Sequence, residues 1–354
     1  MIPPSTPKPR LIALVGATGV GKTQLALAIA GRLGGEIVSA DSMQVYREMD
    51  IGTAKPTPGE RRRIPHHMLD VVNPDEPFDV ARYCVLAREA IARLHREKKP
   101  VLVVGGTGLY VRALLGGLID GPGEDRVLRG ELRKEMGRLG KDALYRRLLA
   151  RDPRAAERIH PGDGVRIIRA LEVLELTGKS IVTHQEDHGF RERPYEALRI
   201  GLRLDRERLL EGIDRRTERM IADGFLEEVR GLLARGYDPS LKPMRSLGYR
   251  HLADCLAGRT DLEEAVRLIK RDTRRYAKRQ MTWFAAEPDV EWFSPGEPDA
   301  VEERIRRFLE GRRPGREGRG GGFRDAPAGR EGIFLTSKGD VDMEHSRNGR
   351  EKPY

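Results

Sequence analysis

Gly16-Ala17-Thr18-Gly19-Val20-Gly21-Lys22-Thr23 lies between an apolar run, residues 11–15, and a helical pattern, residues 24–30. A glycine-rich loop that ends in Lys-Thr and joins a strand to a helix is typical of phosphate-binding loops in α/β proteins. Backbone N–H groups and the helix dipole favour an anion there, and Lys22 adds a full charge. Thr23 places a hydroxyl where a phosphate-bridging Mg²⁺ would bind. The stretch therefore predicts a parallel α/β sheet flanked by helices, a diphosphate or polyphosphate ligand and Mg²⁺ as cofactor; an ordinary glycine-rich turn is the alternative.

Length and composition indicate a folded protein without covalent cross-links. The chain has 354 residues and 38% hydrophobic content, enough for two domains. Cys84 and Cys255 lie far apart and form no CxxC pair, which disfavours a zinc site or a structural disulfide. No apolar stretch resembles a signal peptide or reaches membrane-spanning length, so we expect a cytoplasmic protein with no membrane contact. The net charge of +10 fits a polyanionic partner, although an arginine-rich genome composition gives a similar excess.

Two further predicted strands end in candidate catalytic residues. Glu36–Ser39 is followed by Asp41, and residues 101–104 are followed by Gly105-Gly106-Thr107. Ligands of open parallel sheets bind at the carboxyl ends of strands, so we expect Asp41 and Thr107 near the phosphate loop. Both residue types also commonly cap helices, and that alternative stays open. The second strand lacks the terminal Asp that commonly holds Mg²⁺ in hydrolysing ATPases, which disfavours ATP hydrolysis.

The pattern changes between residues 119 and 195. This stretch contains charged helical segments at 126–139, 141–150 and 163–177 and no strand signal. We therefore predict a phosphate-loop core domain from residues 1–118 and 196–310, interrupted by an all-helical insertion at 119–195. Residues 311–354 are rich in Gly and Arg and bury too little apolar surface to fold alone, so we expect a disordered tail.

A long helix predicted at 261–285 carries the clearest basic surface. At about 100° per residue, one face collects Arg267, Arg271, Arg274, Arg275 and Lys278. Tyr276 and Gln280 fall on the opposite, packing side. The basic face has almost no acid, whereas a solvated face usually mixes charges. This pattern favours nucleic acid as a partner, bound through its phosphates.

Several motifs occur in a fixed order along the chain. After the phosphate loop they are Asp41-Ser42-Met43-Gln44-Val45-Tyr46, Asp50-Ile51-Gly52-Thr53-Ala54-Lys55-Pro56, Gly105-Gly106-Thr107-Gly108-Leu109-Tyr110, residues 166–172, Arg245-Ser246-Leu247-Gly248-Tyr249-Arg250 and Arg275-Tyr276-Ala277-Lys278-Arg279-Gln280. In combination they resemble the bacterial tRNA dimethylallyltransferases, also called tRNA isopentenyltransferases, over residues 10 to about 300. The resemblance implies transfer of a dimethylallyl group from dimethylallyl diphosphate to N6 of adenine 37 of tRNA, next to the anticodon. The products would be N6-isopentenyladenosine and diphosphate.

The resemblance also implies roles for individual residues. Asp41 would accept the proton of the adenine amine, and Thr107 would contact the departing diphosphate. The phosphate loop would bind the diphosphate with Arg129 and Arg216, although either arginine can instead contact tRNA. Together with the basic face of the predicted helix, which contributes Arg271, Arg274, Arg275 and Lys278, the expected tRNA-binding residues are Asp41, Ser42, Met43, Gln44, Thr107, Arg129, Arg166, Arg169, Arg245 and Arg250. The expected partners are dimethylallyl diphosphate and the anticodon stem-loop of tRNA, bound by a monomer.

Three other functions stay open on the sequence alone. An ATP-dependent small-molecule kinase uses the same loop, and an adenylate isopentenyltransferase uses the same prenyl chemistry on free nucleotides. The helical insertion and the basic helix disfavour both, because a small acceptor needs no such surface. A non-catalytic RNA-binding protein would leave Asp41 and Thr107 without a purpose.

Overall fold

A six-stranded sheet, seen in a computed structural model that describes residues 8–118, 121–189 and 191–311, organises the protein. The strands are β1 (Arg10–Gly16), β2 (Glu36–Ser39), β3 (His66–His67), β4 (Val101–Gly105), β5 (Glu196–Leu202) and β6 (Val290–Phe293). They lie in the order β3-β2-β4-β1-β5-β6, and every pairing is parallel. The predicted parallel α/β fold is confirmed.

Fourteen helices accompany the sheet in the described part of the chain. They are α1 (Lys22–Leu33), α2 (Pro58–Arg63), α3 (Val80–Arg96), α4 (Gly108–Gly116), α5 (Arg126–Leu139), α6 (Lys141–Arg151), α7 (Pro153–Arg158), α8 (Gly164–Thr177), α9 (Ile181–His188), α10 (Arg206–Ala222), α11 (Phe225–Ala234), α12 (Tyr249–Leu256), α13 (Leu262–Ala285) and α14 (Pro298–Leu309). Among these helices, none is both long and apolar enough to cross a membrane.

The central strand β1 is covered on both faces, as its continuous apolar sequence requires. Leu11, Ala13 and Val15 belong to one core cluster, which includes buried side chains of α3, α4 and α13. The alternate residues Ile12 and Leu14 belong to a second cluster with α1 and α14, because successive strand side chains point to opposite faces. Helices on both sides therefore fix the carboxyl end of β1, where the phosphate loop begins.

Helices α5–α9 form a separate group around their own buried apolar cluster. Leu132 of α5, Leu148 of α6 and Leu171 of α8 are fully or almost fully buried there. The described residues between 126 and 188 contain no strand. The bounds proposed for the insertion domain stay a prediction, and the proposed tail lies outside the described residues from 312 onward.

Candidate active site

The phosphate loop has the backbone of an anion-binding turn. Gly19 and Gly21 have φ values of 83° and 97°, in the left-handed region that favours glycine. Helix α1 begins directly after Gly21 with no side-chain cap, so its first N–H groups point to the space where an anion would bind. Ala17 is buried against Ile213 of α10 and Ala277 of α13. Two helices from the second half of the chain thus hold the loop in place.

Lys22 folds back onto the loop. Its Nζ donates to the carbonyl oxygens of Gly16 at 2.9 Å and Ala17 at 2.7 Å. Burial and, to a smaller extent, the positive charge of Arg216 lower the pKa of Lys22 to about 7, against the opposing effect of the negative charge of Asp41. In the unliganded protein near neutral pH, Lys22 is therefore only partly charged, because burial penalises the ammonium, and its contact with a phosphate stays a prediction. A bound anion would restore that charge.

Asp41 follows β2 and fixes the turn that comes next. Its Oδ1 accepts hydrogen bonds from the backbone N–H of Met43 at 2.8 Å and of Gln44 at 3.3 Å. The turn does not start a helix, since α2 begins only at Pro58. Asp41 also lines the main cavity described below. Asp41 therefore holds the turn through one carboxylate oxygen and lies at the cavity wall, and its role in the chemistry stays a prediction.

Thr107 lies beside the same turn, at the end of β4. Its Oγ1 accepts a hydrogen bond from the backbone N–H of Ser42 at 3.0 Å. Although Thr107 is the N-terminal cap residue of α4, its side chain makes no capping hydrogen bond to that helix. The capping interpretation is therefore wrong for this side chain, because the neighbouring strand end supplies a better donor. Asp41 and Thr107 are brought together, as predicted.

Gln280 connects the phosphate loop to β4, a role that the sequence did not reveal. The backbone N–H of Thr18 donates to Gln280 Oε1 at 2.8 Å, and Gln280 Nε2 donates to the carbonyl of Gly106 at 2.9 Å. One helical turn earlier, the Tyr276 side chain lines the main cavity. Burial and the charge of Asp41 raise the pKa of Tyr276, so the phenol stays protonated. The only signal for this role in the sequence was that Gln280 places an amide on the packing side of the helix predicted at 261–285.

Glu228 on α11 is a second residue that the sequence did not reveal. Its carboxylate accepts hydrogen bonds from three consecutive backbone N–H groups, those of Asp50 at 2.8 Å, Ile51 at 2.7 Å and Gly52 at 3.1 Å. It also accepts one from the Tyr249 hydroxyl at 2.6 Å. Gly52 lines the main cavity. Glu228 therefore positions the loop that forms one side of the cavity.

Gln44 holds the other end of this loop. Its Oε1 accepts from Ser39 Oγ at 3.0 Å, and its Nε2 donates to the carbonyls of Thr53 and Ala54, each at 3.3 Å. The predicted tRNA contact of Gln44 stays a prediction, since the amide already has partners within the protein. Met43, next to it, lines the main cavity.

A main cavity of about 1270 Å³ joins the carboxyl end of the sheet to the helices α5 and α8. It is lined by these residues of the predicted site: Thr18, Asp41, Ser42, Met43, Arg129, Arg166, Arg169, Arg216 and Arg245. A small cavity of about 80 Å³ is lined by Lys22 and Thr23, and it shares Thr18, Asp41 and Arg216 with the main one. The space is large enough for a diphosphate at one end and a nucleobase at the other.

Arg216 marks the phosphate end of this space. Burial lowers the pKa of Arg216, and the charge of Asp41 opposes this shift. Lys22 is close enough to Arg216 for the two cations to repel. An anion placed between them would relieve both the repulsion and the cost of burial.

Arg129, in contrast to Arg216, is paired with carboxylates of the protein. It is 4% exposed, and its guanidinium pairs with Glu172 at 2.6 Å and with Glu124 at 2.9 Å. Glu172 is fully buried and also pairs with Arg169 at 2.7 Å. Arg129 and Arg169 therefore face the cavity as members of an ion-pair cluster. Their contact with a substrate stays a prediction.

The basic face of α13 contains more acid than the sequence predicts. Arg274 pairs with Asp214 of α10, with 3.1 Å from Nε to Oδ1. Asp272 is 2% exposed and accepts from Arg250 at 2.7 Å and from Arg271 at 2.8 Å. The expectation of an almost acid-free face is wrong, because a projection of one helix shows neither its neighbours nor a buried acid beneath its arginines. Arg275 also lies near Asp272, and Lys278 is exposed.

A Mg²⁺ ion at the phosphate loop would have few ligands from the protein itself. In the described ranges, no group of three or more His, Cys, Asp and Glu side chains could hold a metal ion. Thr23 and Asp41 line the same small cavity next to Lys22. Their oxygens are the hard donors that Mg²⁺ accepts when ligand phosphates and water complete its shell. The residues present fit such an ion.

Sequence comparisons assign relatives to the chain. The family described as IPP transferase matches residues 44–287, and the family described as Isopentenyl transferase matches residues 9–72. The tRNA dimethylallyltransferase 2 of Syntrophus aciditrophicus is 56% identical over 87% of this chain and 99% of its own length. The tRNA dimethylallyltransferase of Geobacter metallireducens is 52% identical over 83% of this chain and 96% of its own.

Solved structures show the same likeness. The full-length tRNA isopentenylpyrophosphate transferase from Bacillus halodurans is 40% identical, with a TM-score of 0.64 over 86% of this chain and 97% of that one. A eukaryotic dimethylallyltransferase acting on tRNA is 28% identical, with a TM-score of 0.73 over 87% of this chain and 81% of that one. Each likeness extends over most of the chain.

Proposed function

The chain belongs to the tRNA dimethylallyltransferase family and is a tRNA prenyltransferase, and we propose that it transfers the dimethylallyl group of dimethylallyl diphosphate to N6 of adenine 37. The observation that carries the proposal is one continuous cavity, which runs from Thr18 and Asp41 to arginines of α5 and α8. A small-molecule kinase needs a phosphate loop but no second mouth lined by a helical group.

The donor would bind at the phosphate loop. Its diphosphate would replace the carbonyls of Gly16 and Ala17 as partners of Lys22 and would lie between Lys22 and Arg216. Mg²⁺, held by the Thr23 hydroxyl with Asp41 nearby, would supply positive charge that stabilises the diphosphate. Thr107 would donate to a diphosphate oxygen, where negative charge grows as the allylic bond breaks.

The acceptor would enter from the mouth next to α5 and α8. Adenine 37 would be unstacked from the anticodon loop, since its amine cannot otherwise reach the reaction centre. That amine is a poor nucleophile because its lone pair is delocalised into the purine. Asp41, fixed by the N–H groups of Met43 and Gln44, would accept the proton as N6 attacks C1 of the prenyl group. The adenine and the diphosphate thus meet at the turn after β2.

Both alternatives with small acceptors are disfavoured by the same cavity. An adenylate isopentenyltransferase would need no arginine cluster such as Arg129 and Arg169, far from the phosphate end. Two further predictions are that the protein is a monomer and that it acts in the cytoplasm, where unmodified tRNA occurs. Light scattering of the purified protein with and without tRNA would test the first of them.

The function is tested by incubating the protein with bulk unmodified tRNA and radiolabelled dimethylallyl diphosphate and mapping the labelled nucleoside. We expect label in N6-isopentenyladenosine from the position next to the anticodon, and none in free AMP supplied in a parallel reaction. Lys22→Met is the matched inactive control, because it removes a donor-binding charge without touching the tRNA mouth. Label in AMP but not in tRNA, or ATP turnover without prenyl transfer, would contradict the proposal.

A further inference from the structure

One carboxylate organises the helical end of the main cavity. Glu172 of α8 is fully buried, and each of its oxygens accepts two hydrogen bonds. Oε1 accepts from the backbone N–H of Asp125 at 3.0 Å and from Arg129 Nε at 3.2 Å. Oε2 accepts from Arg129 Nη2 at 2.6 Å and from Arg169 Nη1 at 2.7 Å. A buried carboxylate is costly unless its charge is paired, and two guanidinium groups pair with this one.

The same cluster fixes the stretch of chain that leads into the helical group. Arg169 Nη2 donates to the carbonyl of Pro122 at 2.7 Å, and its Nη1 donates to the carbonyl of Gly123 at 3.3 Å. Asp125, whose N–H binds Glu172, is also the N-terminal cap of α5. Glu172 and Arg169 therefore hold the start of α5, and with it the position of the α5 side chains along the cavity wall.

The atoms that Glu172 contacts determine which part of Arg129 remains for a ligand. A guanidinium has five N–H groups in one plane, and an anion can accept two parallel hydrogen bonds from one of its edges. Glu172 occupies the edge formed by Nε and Nη2. Since Arg129 lines the main cavity, the edge formed by Nη1 and Nη2 is the part that can face it. That edge has the paired donors that suit a phosphate.

Glu124 contacts this second edge but is held less firmly than Glu172. Its Oε2 lies 2.9 Å from Arg129 Nη1, and its side chain is 32% exposed. Water and salt screen an exposed ion pair, so a phosphate can displace Glu124 at small cost. Arg129 lines the main cavity but not the small cavity next to Lys22, which favours a phosphate of RNA over the donor diphosphate.

We propose that Glu172 is a positioning residue that turns the Nη1–Nη2 edge of Arg129 toward a phosphate of the tRNA. The inference rests on the proposed function, in which arginines of α5 and α8 contact tRNA. Glu172 acts through Arg129, because a fully buried side chain cannot touch the RNA itself. Without its charge, Arg129 and Arg169 would repel each other, and the phosphate would lose a partner of fixed orientation.

The test measures equilibrium binding of an unmodified tRNA transcript by Glu172→Gln and Arg129→Lys, alone and together. Gln keeps the length of the side chain, but its amide nitrogen would face guanidinium groups that can only donate. Lys keeps the charge of Arg129 without the planar edge. We expect each single variant to weaken tRNA binding about 10–100-fold, because a charged hydrogen-bonded contact is lost. The double variant should match the single variant with the larger loss within about twofold, since both changes remove the same contact.

Two matched substitutions separate orientation from charge. Each removes one negative charge, as Glu172→Gln does, and charge alone would strengthen binding of a polyanion. Glu124→Gln frees the Nη1–Nη2 edge of Arg129 and should strengthen tRNA binding about two- to fivefold. Glu175→Gln, one turn further along α8, breaks partly exposed pairs with Arg147 and Arg151 and should leave binding within about twofold. Titration with dimethylallyl diphosphate counts the folded sites in every variant, and its affinity should not change.

Equal or tighter tRNA binding by Glu172→Gln, with donor affinity intact, would overturn the inference and show that Glu172 competes with RNA for Arg129. Multiplicative losses in the double variant would also overturn it, because the two residues would then act separately. Weaker binding by Glu124→Gln would contradict it even if Glu172→Gln failed to fold. Failure of the proposed function is distinct, since the parental protein would then transfer no label to tRNA.

Discussion

Two parts of the cavity wall carry cationic side chains in opposite electrostatic states. At the phosphate loop, burial lowers the pKa of Lys22 and of Arg216, and Asp41 only partly compensates. On α5, Arg129 is almost fully buried but already pairs with the fully buried Glu172. A phosphate at the loop supplies missing negative charge, whereas a phosphate near α5 must compete with a carboxylate. The loop is therefore suited to tight binding of one small anion, and the helical side to weaker, exchangeable contacts.

The largest expected effect concerns Asp41, whose negative charge acts on both Lys22 and Arg216. Asp41→Asn keeps the hydrogen bonds to Met43 and Gln44 but removes the proton acceptor, so single-turnover rates should fall about 10²–10⁴-fold. Both substrates should still bind, which equilibrium titrations would establish. If the rate stays within a few-fold of the parent, Asp41 only holds the turn, and a different base or water accepts the proton.

The second prediction is a pH dependence confined to the loop. Lys22 has a pKa of about 7 in the free protein, and a bound diphosphate raises it, so binding above pH 7 takes up one proton. Affinity for dimethylallyl diphosphate should fall about tenfold per pH unit above pH 7, where the ligand is already ionised and Lys22 loses its proton. Calorimetry in buffers of different ionisation enthalpy measures the proton directly. Lys22→Met should abolish the pH dependence of diphosphate affinity, while the control Arg274→Ala should retain it. If binding at pH 8 takes up no proton, Lys22 is already charged in the free protein.

The smallest expected effect concerns the paired arginines of α13. Changing Arg271, Arg274 and Lys278 to Ala should weaken tRNA binding and flatten its salt dependence, with diphosphate affinity unchanged. Since Arg271 and Arg274 already bind carboxylates, Lys278→Ala alone should account for most of the change in slope. Titrations of tRNA binding between low and moderate salt measure it. Arg307→Ala, which breaks an exposed pair with Glu303 on α14, is the control; an unchanged slope in the triple variant would mean that this face only contacts water.

The sequence predicted those parts of the structure that depend on residues close together in the chain. The apolar run before Gly16 and the loop after it predicted the central strand and the phosphate site. Two helix starts also have local sequence patterns: Asp79 caps α3, and Asp261 caps α13. The short helices α7 and α9 were not predicted, because six to eight residues give too few turns for a clear apolar period.

Contacts between distant residues could not be predicted in this way. Gln280 looked like a packing residue because nothing near it in the sequence points to Thr18, which lies 262 residues away. Asp272 was overlooked because a helical projection cannot show that Arg250, from another helix, converges on it. The lowered pKa of Lys22 also depends on burial by elements outside the loop motif. Residue types and spacing therefore predict which strand ends meet at the site, but neither the contacts between distant side chains nor the charge states of the groups.

The bond from Thr18 to Gln280 has a consequence for how the protein folds. The phosphate motif is synthesised first, yet β1 pairs with β5 as well as with β4, and the loop is completed by a side chain of α13. Contacts with such long sequence separation form late, because the chain must close large loops before they contribute stability. During translation, a ribosome must therefore release residues beyond Gln280 before the amino-terminal loop reaches its final form. The nascent chain would carry the complete phosphate motif for most of its synthesis without a finished site.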